Sequence, residues 1–397
     1  MQKRADKKGR RLFNGESQRP DGRYAYKYID ANGKPKFIYS WRLTANDTPP
    51  KGKRDCIPLR EQIKAIERDL ADGIDTLGKK ITLCELYAKQ NRSRANVRKS
   101  TINSRKALMD ALREDKLGSR AIDCIKPSDA KEWAIRMKEK GFAYSSINNF
   151  KRSLTASFHI AISDDYVRKN PFNFNLKDVI ADDTKPKQAL TEEQQEKLLA
   201  FAEIDYVYKY HYNSIVILLN TGLRISELCG LTVSDIDFES KFINVDHQLL
   251  KDKDGYYIEP PKSESGFRQI PMSETVCQAF RQAIENRSHA QPITIDNYSD
   301  FIFLNKQGNP MYSTLYTSTF KNLVKKYCKY YGEDALPNIT PHIFRHTFCT
   351  NMANKGMTPN NLQYVMGHKN ITMTLGYYTH GSHLSAQNEM NKFFENH

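Results

Sequence analysis

Thr340-Pro-His-Ile-Phe-Arg-His-Thr347 decides the reading of this chain, together with Gly367-His368 and Tyr377-Tyr-Thr-His380 downstream of it. The first run places His342 and Arg345 one helical turn apart. A further imidazole and a tyrosine pair follow within forty residues. Tyrosine is an unusual nucleophile, but it can bond covalently to phosphorus and so divide one difficult exchange into two easier ones. Such a tyrosine needs cations around the phosphate and proton-transfer groups beside it. The segment supplies both kinds of residue.

The rest of the composition fits an anionic partner. The net charge is +15 over 397 residues. Residues 1–60 carry 16 Lys/Arg against 6 Asp/Glu, so two thirds of the excess sits in the first sixth of the chain. A polyanion is the natural partner for such a stretch. A membrane surface is the rival, but no basic amphipathic helix or lipidation motif supports it. Apolar residues make up 39%, and no apolar run approaches the roughly 20 residues of a membrane span. The opening residues have no apolar core, so no secretory signal is expected. Seven scattered cysteines without C-x-x-C spacing argue against a disulfide framework and a zinc ribbon. A reducing cytoplasm is the expected location.

The length predicts several domains. Residues 1–75 read as a small antiparallel sheet plus a helix. Strands are expected at 12–18, 23–29 and 36–42, with a turn at 30–33 and a helix at 59–70 whose apolar residues fall at 59, 63, 66 and 70. Dense in Arg, Lys, Tyr and Trp, this module is expected to read DNA, since strands enter a groove as helices do. Arg23, Tyr24, Tyr26, Lys36 and Trp41 are its candidate contacts, although half of the aromatics must form its core. Residues 80–172 read as an all-α bundle of four helices with a basic start, in which Arg98, Lys99 and Arg105 are candidate DNA contacts. Residues 173–189 read as a linker. From 190 to 397 a mixed α+β, mainly helical domain is expected. It opens with a capping box at Thr191-Glu-Glu-Gln194 and has strands at 241–249, 256–259 and 267–272. Helices are expected from 273 onward.

A phosphodiester attacked by tyrosine gains negative charge on its nonbridging oxygens, which preorganised arginines stabilise in a water-poor site. The leaving oxygen needs a proton, and the phenol, with an ordinary pKa near 10, must lose one. Thr221-Gly-Leu-Arg-Ile-Ser-Glu-Leu228 ends one helix at Gly222 and starts another, so Arg224 sits at a helix N-terminus suited to anions. Glu227 lies on the same face and is placed to orient it. Arg345 is the second cation, with His342 on its face.

These motifs resemble those of the tyrosine recombinases, the phage and transposon integrase family. The resemblance rests on Thr221–Leu228, on Pro261-Lys-Ser-Glu-Ser-Gly-Phe-Arg-Gln-Ile-Pro271, on His342-Ile-Phe-Arg-His-Thr347, on Val365-Met-Gly-His368 and on Tyr377-Tyr-Thr-His380, all in order. It covers about residues 187–397. The bundle resembles the family's core-binding domain, and the N-terminal module resembles the arm-binding module of conjugative-transposon and lambda-like integrases. The resemblance implies that Arg224 and Arg345 clamp the scissile phosphate. It implies that Lys262 protonates the 5′-oxygen, His342 takes the tyrosine's proton and His368 hydrogen-bonds the phosphate. Tyr378 is the implied nucleophile, because it directly precedes the Thr-His pair, and Tyr377 is then packed. It further implies double-stranded DNA with core and arm sites, a homo-tetramer acting through a Holliday junction, exchange of the C-terminal tail between subunits, and an excisionase or DNA-bending accessory protein. No metal or other cofactor is implied.

Other readings of single residues stand beside these. His342 and His346 have i, i+4 metal spacing but no third ligand. His346 reads as a packed core histidine. Arg268 reads as a strand-surface cation, with a third phosphate contact as the alternative. Lys251 and Lys253 are rivals for the acid. Cys229 and Cys349 read as buried small residues. Met390, Phe393 and Phe394 form an apolar stripe suited to docking. A type IB topoisomerase and a noncatalytic DNA-binding regulator are the alternative functions.

Overall fold

The computed structural model of the protein describes residues 4–30, 34–71, 81–94, 97–184, 188–287, 293–332, 335–378 and 390. The turn expected at residues 31–33, the Thr379-His380 pair and the tail apart from Met390 lie outside the described residues. The chain divides into two compact units, Met1–Lys185 and Pro186–His397.

In the first unit, strands β1 (Glu16–Gln18), β2 (Tyr24–Ile29) and β3 (Pro35–Ser40) form one antiparallel sheet in sequence order. Helix α1 (Leu59–Ala71) packs on one face of it through Leu59 and Ile63. The register pairs Tyr24 with Ser40 and Tyr26 with Ile38, so alternation turns Tyr24, Tyr26 and Tyr28 to one face and Lys27 and Ile29 to the other. The first strand is shorter than the sequence suggests. Leu12 is in the core but precedes the ladder.

Four helices of this unit form a bundle: α2 (Leu83–Ser93), α3 (Lys99–Arg113), α4 (Pro127–Glu139) and α5 (Tyr144–Ser163). Thr82 and Glu85 make a reciprocal capping box at the start of α2. Trp133 is wholly buried, edge-on to Phe172 at 5.7 Å. Phe172, Leu176 and Ile180 belong to the same core. The expected linker from 173 is therefore corrected: its first part is a fixed piece of the bundle, because its apolar residues close one end of the core.

The second unit has α6 (Glu192–Ile204), α7 (Tyr212–Thr221) and α8 (Ile225–Gly230), then a region of short strands, then α9 (Glu274–Glu285), α10 (Ser313–Tyr331), α11 (Pro341–Asn354), α12 (Pro359–Met366) and α13 (Thr372–Leu375). The strand expected over 241–249 is two strands in two sheets. Strand β5 (Phe242–Val245) lies between β4 (Ile236–Asp237) and β8 (Arg268–Pro271), while β6 (Gln248–Asp252) forms a hairpin with β7 (Gly255–Glu259). The break falls at Asp246-His247, where the buried His247 ring bonds the Gly230 carbonyl at 2.7 Å and the Asp246 carboxylate at 2.5 Å. Those bonds turn the chain out of the ladder. The expected all-helical run after 273 is also corrected, since the described residues between α9 and α10 form turns and isolated bridges.

Candidate active site

The site is built on two left-handed glycines and the carboxyl end of one helix. Helix α7 ends at Gly222, with φ +65°, and a Cβ there would meet Phe348 Cδ1 at 2.4 Å and Met366 Sδ at 2.9 Å. Only glycine fits such a position. The turn leads at once into Arg224, the N-cap of α8. Helix α12 ends at Gly367, with φ +59°, beside Ser265 and the Arg268 side chain.

Three arginines donate to three consecutive carbonyls at that helix end. Arg268 Nε bonds Val365 O at 2.7 Å, Arg345 bonds Met366 O, and Arg224 bonds Gly367 O at 2.9 Å. These carbonyls are the groups a helix terminus leaves unsatisfied, and they carry its negative dipole end. Arg345 also donates to Gly222 O at 2.6 Å, which ties the two glycine turns together. Glu227 sits between Arg224 and Arg268. Its Oε1 accepts from Arg224 at 2.6 Å and from Arg268 at 3.1 Å. Its Oε2 accepts from Arg268 and from the Arg224 backbone N–H, both at 2.8 Å.

The electrostatics follow from burial. Burial alone would raise the Glu227 carboxyl, but Arg268, Arg224 and Arg345 hold it down at about 2. Burial, reinforced by repulsion from Arg224, lowers Arg345 to about 9, so it remains a cation at neutral pH. His368 is buried, with Nδ1 3.0 Å from the Thr374 hydroxyl. Burial first, and then the field of Arg345, Arg224 and Arg268, lowers His368 to about 4. The ring is neutral at pH 7.

The remaining expected residues are placed differently. Lys262 is exposed in the loop between β7 and β8, the loop whose Ser265 touches Gly367. His342 is exposed in the first turn of α11, three residues before Arg345. Tyr378 is half-buried, and its hydroxyl donates to the Met357 carbonyl. Tyr377 packs edge-on against His346 at 5.0 Å. Burial raises both phenols, and Arg345 pulls in the opposite direction only on Tyr377. Arg224, Arg345 and His368 are thus gathered at one place, while the Tyr378 hydroxyl is occupied elsewhere.

Arg268 corrects both sequence readings of it. Its side chain is wholly buried, neither a surface cation nor a phosphate contact. The signal was present: Arg268 and Ile270 alternate on the inward face of β8, paired with Val245 and Ile243. Asp235, Asp246 and His247 lie close enough to suggest a metal cluster. Both ring nitrogens of His247 are already within hydrogen-bond distance of Asp246 and of the Gly230 carbonyl. A cavity of about 870 Å³ between α7, α9 and α10 is lined by Tyr210, His211 and Phe303 and includes none of the expected catalytic residues.

In the N-terminal module the sheet sorts the candidate contacts. Tyr24 is buried, and its hydroxyl serves Asp6 and Arg10, so the expectation that it contacts DNA is corrected. Tyr26, half-buried, packs against the same core, and Lys36, half-buried and paired with Tyr28, lies on that face. The opposite face exposes Ile29, Phe37 and Tyr39. Arg23 lies over Tyr39 and Trp41 at 5.5 and 5.7 Å, with Arg19 over Tyr39 and Lys53 over Trp41. In the bundle, Lys99 is exposed and Arg98 is half-buried at the N-cap of α3. Arg105 donates to the carbonyls of Asn91 and Arg94, closing the end of α2.

The family comparisons fit this geometry. Residues 188–384 match the phage integrase family, and residues 1–70 match the DNA binding domain of tn916 integrase. The chain belongs to the phage integrase family and is a tyrosine recombinase. It is 61% identical over 392 residues to the transposase from transposon Tn916 of Enterococcus faecalis, covering 98% of this chain and 96% of that one. It is 28% identical to the tyrosine recombinase XerA of Pyrococcus horikoshii, over 63% of this chain and 74% of the relative. Solved structures of the Tn1549 transposon integrase share 56% identity. One, in complex with a circular intermediate DNA, has a TM-score of 0.76 and covers 79% of this chain and 99% of that chain. Another is bound to transposon right end DNA. The first carries an arginine-to-lysine and the second a tyrosine-to-phenylalanine substitution.

The state of His368 is directly measurable. Its folded value lies below the ordinary 6.5, so as pH falls the unfolded chain takes up this proton first. The stability it contributes is complete above 6.5 and is lost as pH falls towards about 4. An NMR titration of the folded protein, assigned with His368→Asn, should place its midpoint well below 6.5. A midpoint at or above that value would contradict a neutral ring.

Proposed function

We propose that the chain integrates and excises a conjugative transposon by a 3′-phosphotyrosine pathway, with Arg224 and Arg345 holding the scissile phosphate. The observation that carries this reading is the convergence of both guanidinium groups and the neutral His368 on residues 366–368. In the first step the Tyr378 oxygen attacks phosphorus and its proton passes to His342. The bond from phosphorus to the 5′-oxygen breaks, and Lys262 supplies that oxygen with a proton. In the second step a 5′-hydroxyl of the partner duplex attacks the phosphotyrosine and releases the phenol. The phosphoester is conserved throughout, so no nucleotide is hydrolysed.

Local groups shape each role. His368 Nδ1 lies 3.0 Å from the Thr374 hydroxyl; in the tautomer that accepts from that hydroxyl, the other ring nitrogen carries the proton and donates to a phosphate oxygen. Arg224 keeps about a third of its side chain exposed, which leaves it open to DNA. The substitutions in the two DNA-bound relatives fall on the residue types assigned here to the clamp and the nucleophile. The Tyr378 hydroxyl must leave the Met357 carbonyl before it can attack.

The bundle and the catalytic unit grip the core site, with Arg98 and Lys99 toward the backbone. The outer sheet face, with Lys27 and Phe37 exposed and with Tyr39 and Trp41 beneath Arg19 and Arg23, meets arm-site DNA. Four copies assemble on two duplexes, and the C-terminal tail of one docks on the next. An excisionase or DNA-bending protein directs the outcome. The reaction belongs in the bacterial cytoplasm, and among the described residues no helix is long and apolar enough to cross a membrane.

On a nicked suicide duplex, Tyr378→Phe should abolish the covalent adduct while DNA affinity is retained; Tyr377→Phe should stay within about tenfold of wild type. An adduct formed by Tyr378→Phe would reassign the nucleophile, and no adduct from the intact protein would favour a noncatalytic regulator. Trp41→Ala should weaken arm-site binding by about 1 kcal/mol or more and leave core-site cleavage unchanged. Equal loss at both sites would place the sheet face elsewhere. Removing residues 384–397 should impair tetramer assembly more than DNA affinity, and intact synapsis would rule out tail exchange.

A further inference from the structure

We propose that Arg268 is a positioning residue of the recombination reaction: a third guanidinium that never meets DNA and sets the geometry of the phosphate clamp through Glu227 and the turn at residues 365–367. This rests on the reading that Arg224, Arg345 and His368 hold the scissile phosphate.

The geometry leaves Arg268 little other work. Its side chain is 0% exposed, and every polar nitrogen of it is engaged inside the protein. Nε holds Val365 O, one terminal nitrogen holds Gly266 O and Glu227, and the other holds Glu227 again. Its side chain also presses on Gly367, where a Cβ would come within 3.1 Å of a terminal nitrogen and 3.2 Å of Cδ. One side chain thus fixes the carboxylate that aims Arg224, the carbonyl turn that Arg224 and Arg345 both bond, and the residue preceding His368.

Packing does not explain an arginine here. The residues sharing its inward face, Ile243, Val245 and Ile270, are apolar. Taking an ion pair out of water costs more than an apolar side chain of similar volume would, so a buried pair is weak support for stability. Charge does explain it. A Glu227 paired with Arg224 alone would offset the positive charge the phosphate needs. With Arg268 as a second partner, the net charge of the arginines and the carboxylate rises from +1 to +2, and the carboxylate's field is shared instead of falling on Arg224 alone. The same pairing keeps Glu227 ionised despite its burial, so its hold on Arg224 does not vary with pH near neutrality.

The test is the rate of covalent adduct formation on a nicked suicide duplex at saturating DNA, with DNA affinity and thermal melting measured alongside. Arg268→Met should cleave about 100-fold more slowly, the effect of a small misplacement at a reacting centre, with nearly unchanged DNA affinity. Its deficit should grow as pH falls, because Glu227 has lost its strongest partner. Arg224→Ala with Arg268→Met should lose less than the product of the two single losses, since both act in part through one unit. A wild-type rate, losses that multiply, or affinity falling as far as cleavage would each overturn the proposal. If melting shows that Arg268→Met does not fold, Arg268→Lys takes its place, with about a tenfold loss expected and the same non-additivity; a wild-type rate for it overturns the proposal equally. Failure of the underlying reading looks different: Arg224→Ala would then cleave like wild type, whatever position 268 does.

Discussion

One buried carboxylate organises the catalytic unit. Glu227 accepts four N–H donors, three of them from side chains of Arg224 and Arg268 and one from the Arg224 backbone. The guanidinium groups it gathers then end on the carbonyls that close α12. A carboxylate in such a place is costly to desolvate, and breaking a buried pair by removing one partner costs about 3–5 kcal/mol. The start of α8, the β8 strand, the middle of α11 and the end of α12 are therefore locked to one another by charge as well as by packing. On the proposed clamp, a phosphate arriving there meets donors that are already oriented, which is the condition for electrostatic catalysis without reorganisation.

The proposed nucleophile is held on different terms. Tyr378 follows the four-residue helix α13, and its hydroxyl is spent on a backbone carbonyl. Burial and the neighbouring Cys349 raise its pKa, so it rests as a neutral phenol. The charged groups of the site are locked to one another, while the phenol proposed to make the bond is held by a backbone carbonyl.

The N-terminal module shows the same economy in a sheet. Its helix covers the face bearing Tyr24 and Tyr26, and the other face keeps large apolar and aromatic side chains in solvent beneath arginines and a lysine. An uncovered apolar face with cations above it suits a polyanion that brings its own flat, partly apolar surfaces.

The sequence by itself determined the elements and the chemistry. Period-two and helical spacing marked the N-terminal strands and the four bundle helices, because those patterns are local. The spacing at Gly222-Leu-Arg224 and at His342 to Arg345 marked the cations, because a turn and a helical face are also local. Alternation alone does not say which face of a sheet a helix will cover, so the burial of Tyr24 under α1 was not legible. The ladder break at Asp246-His247, the buried role of Arg268 and the capture of Tyr378 by Met357 were decided only in three dimensions. Each depends on a partner far along the chain: Gly230, Glu227 with Val365, and a carbonyl on the loop between α11 and α12. No local pattern encodes which distant group will satisfy a buried donor; the packed fold makes that choice.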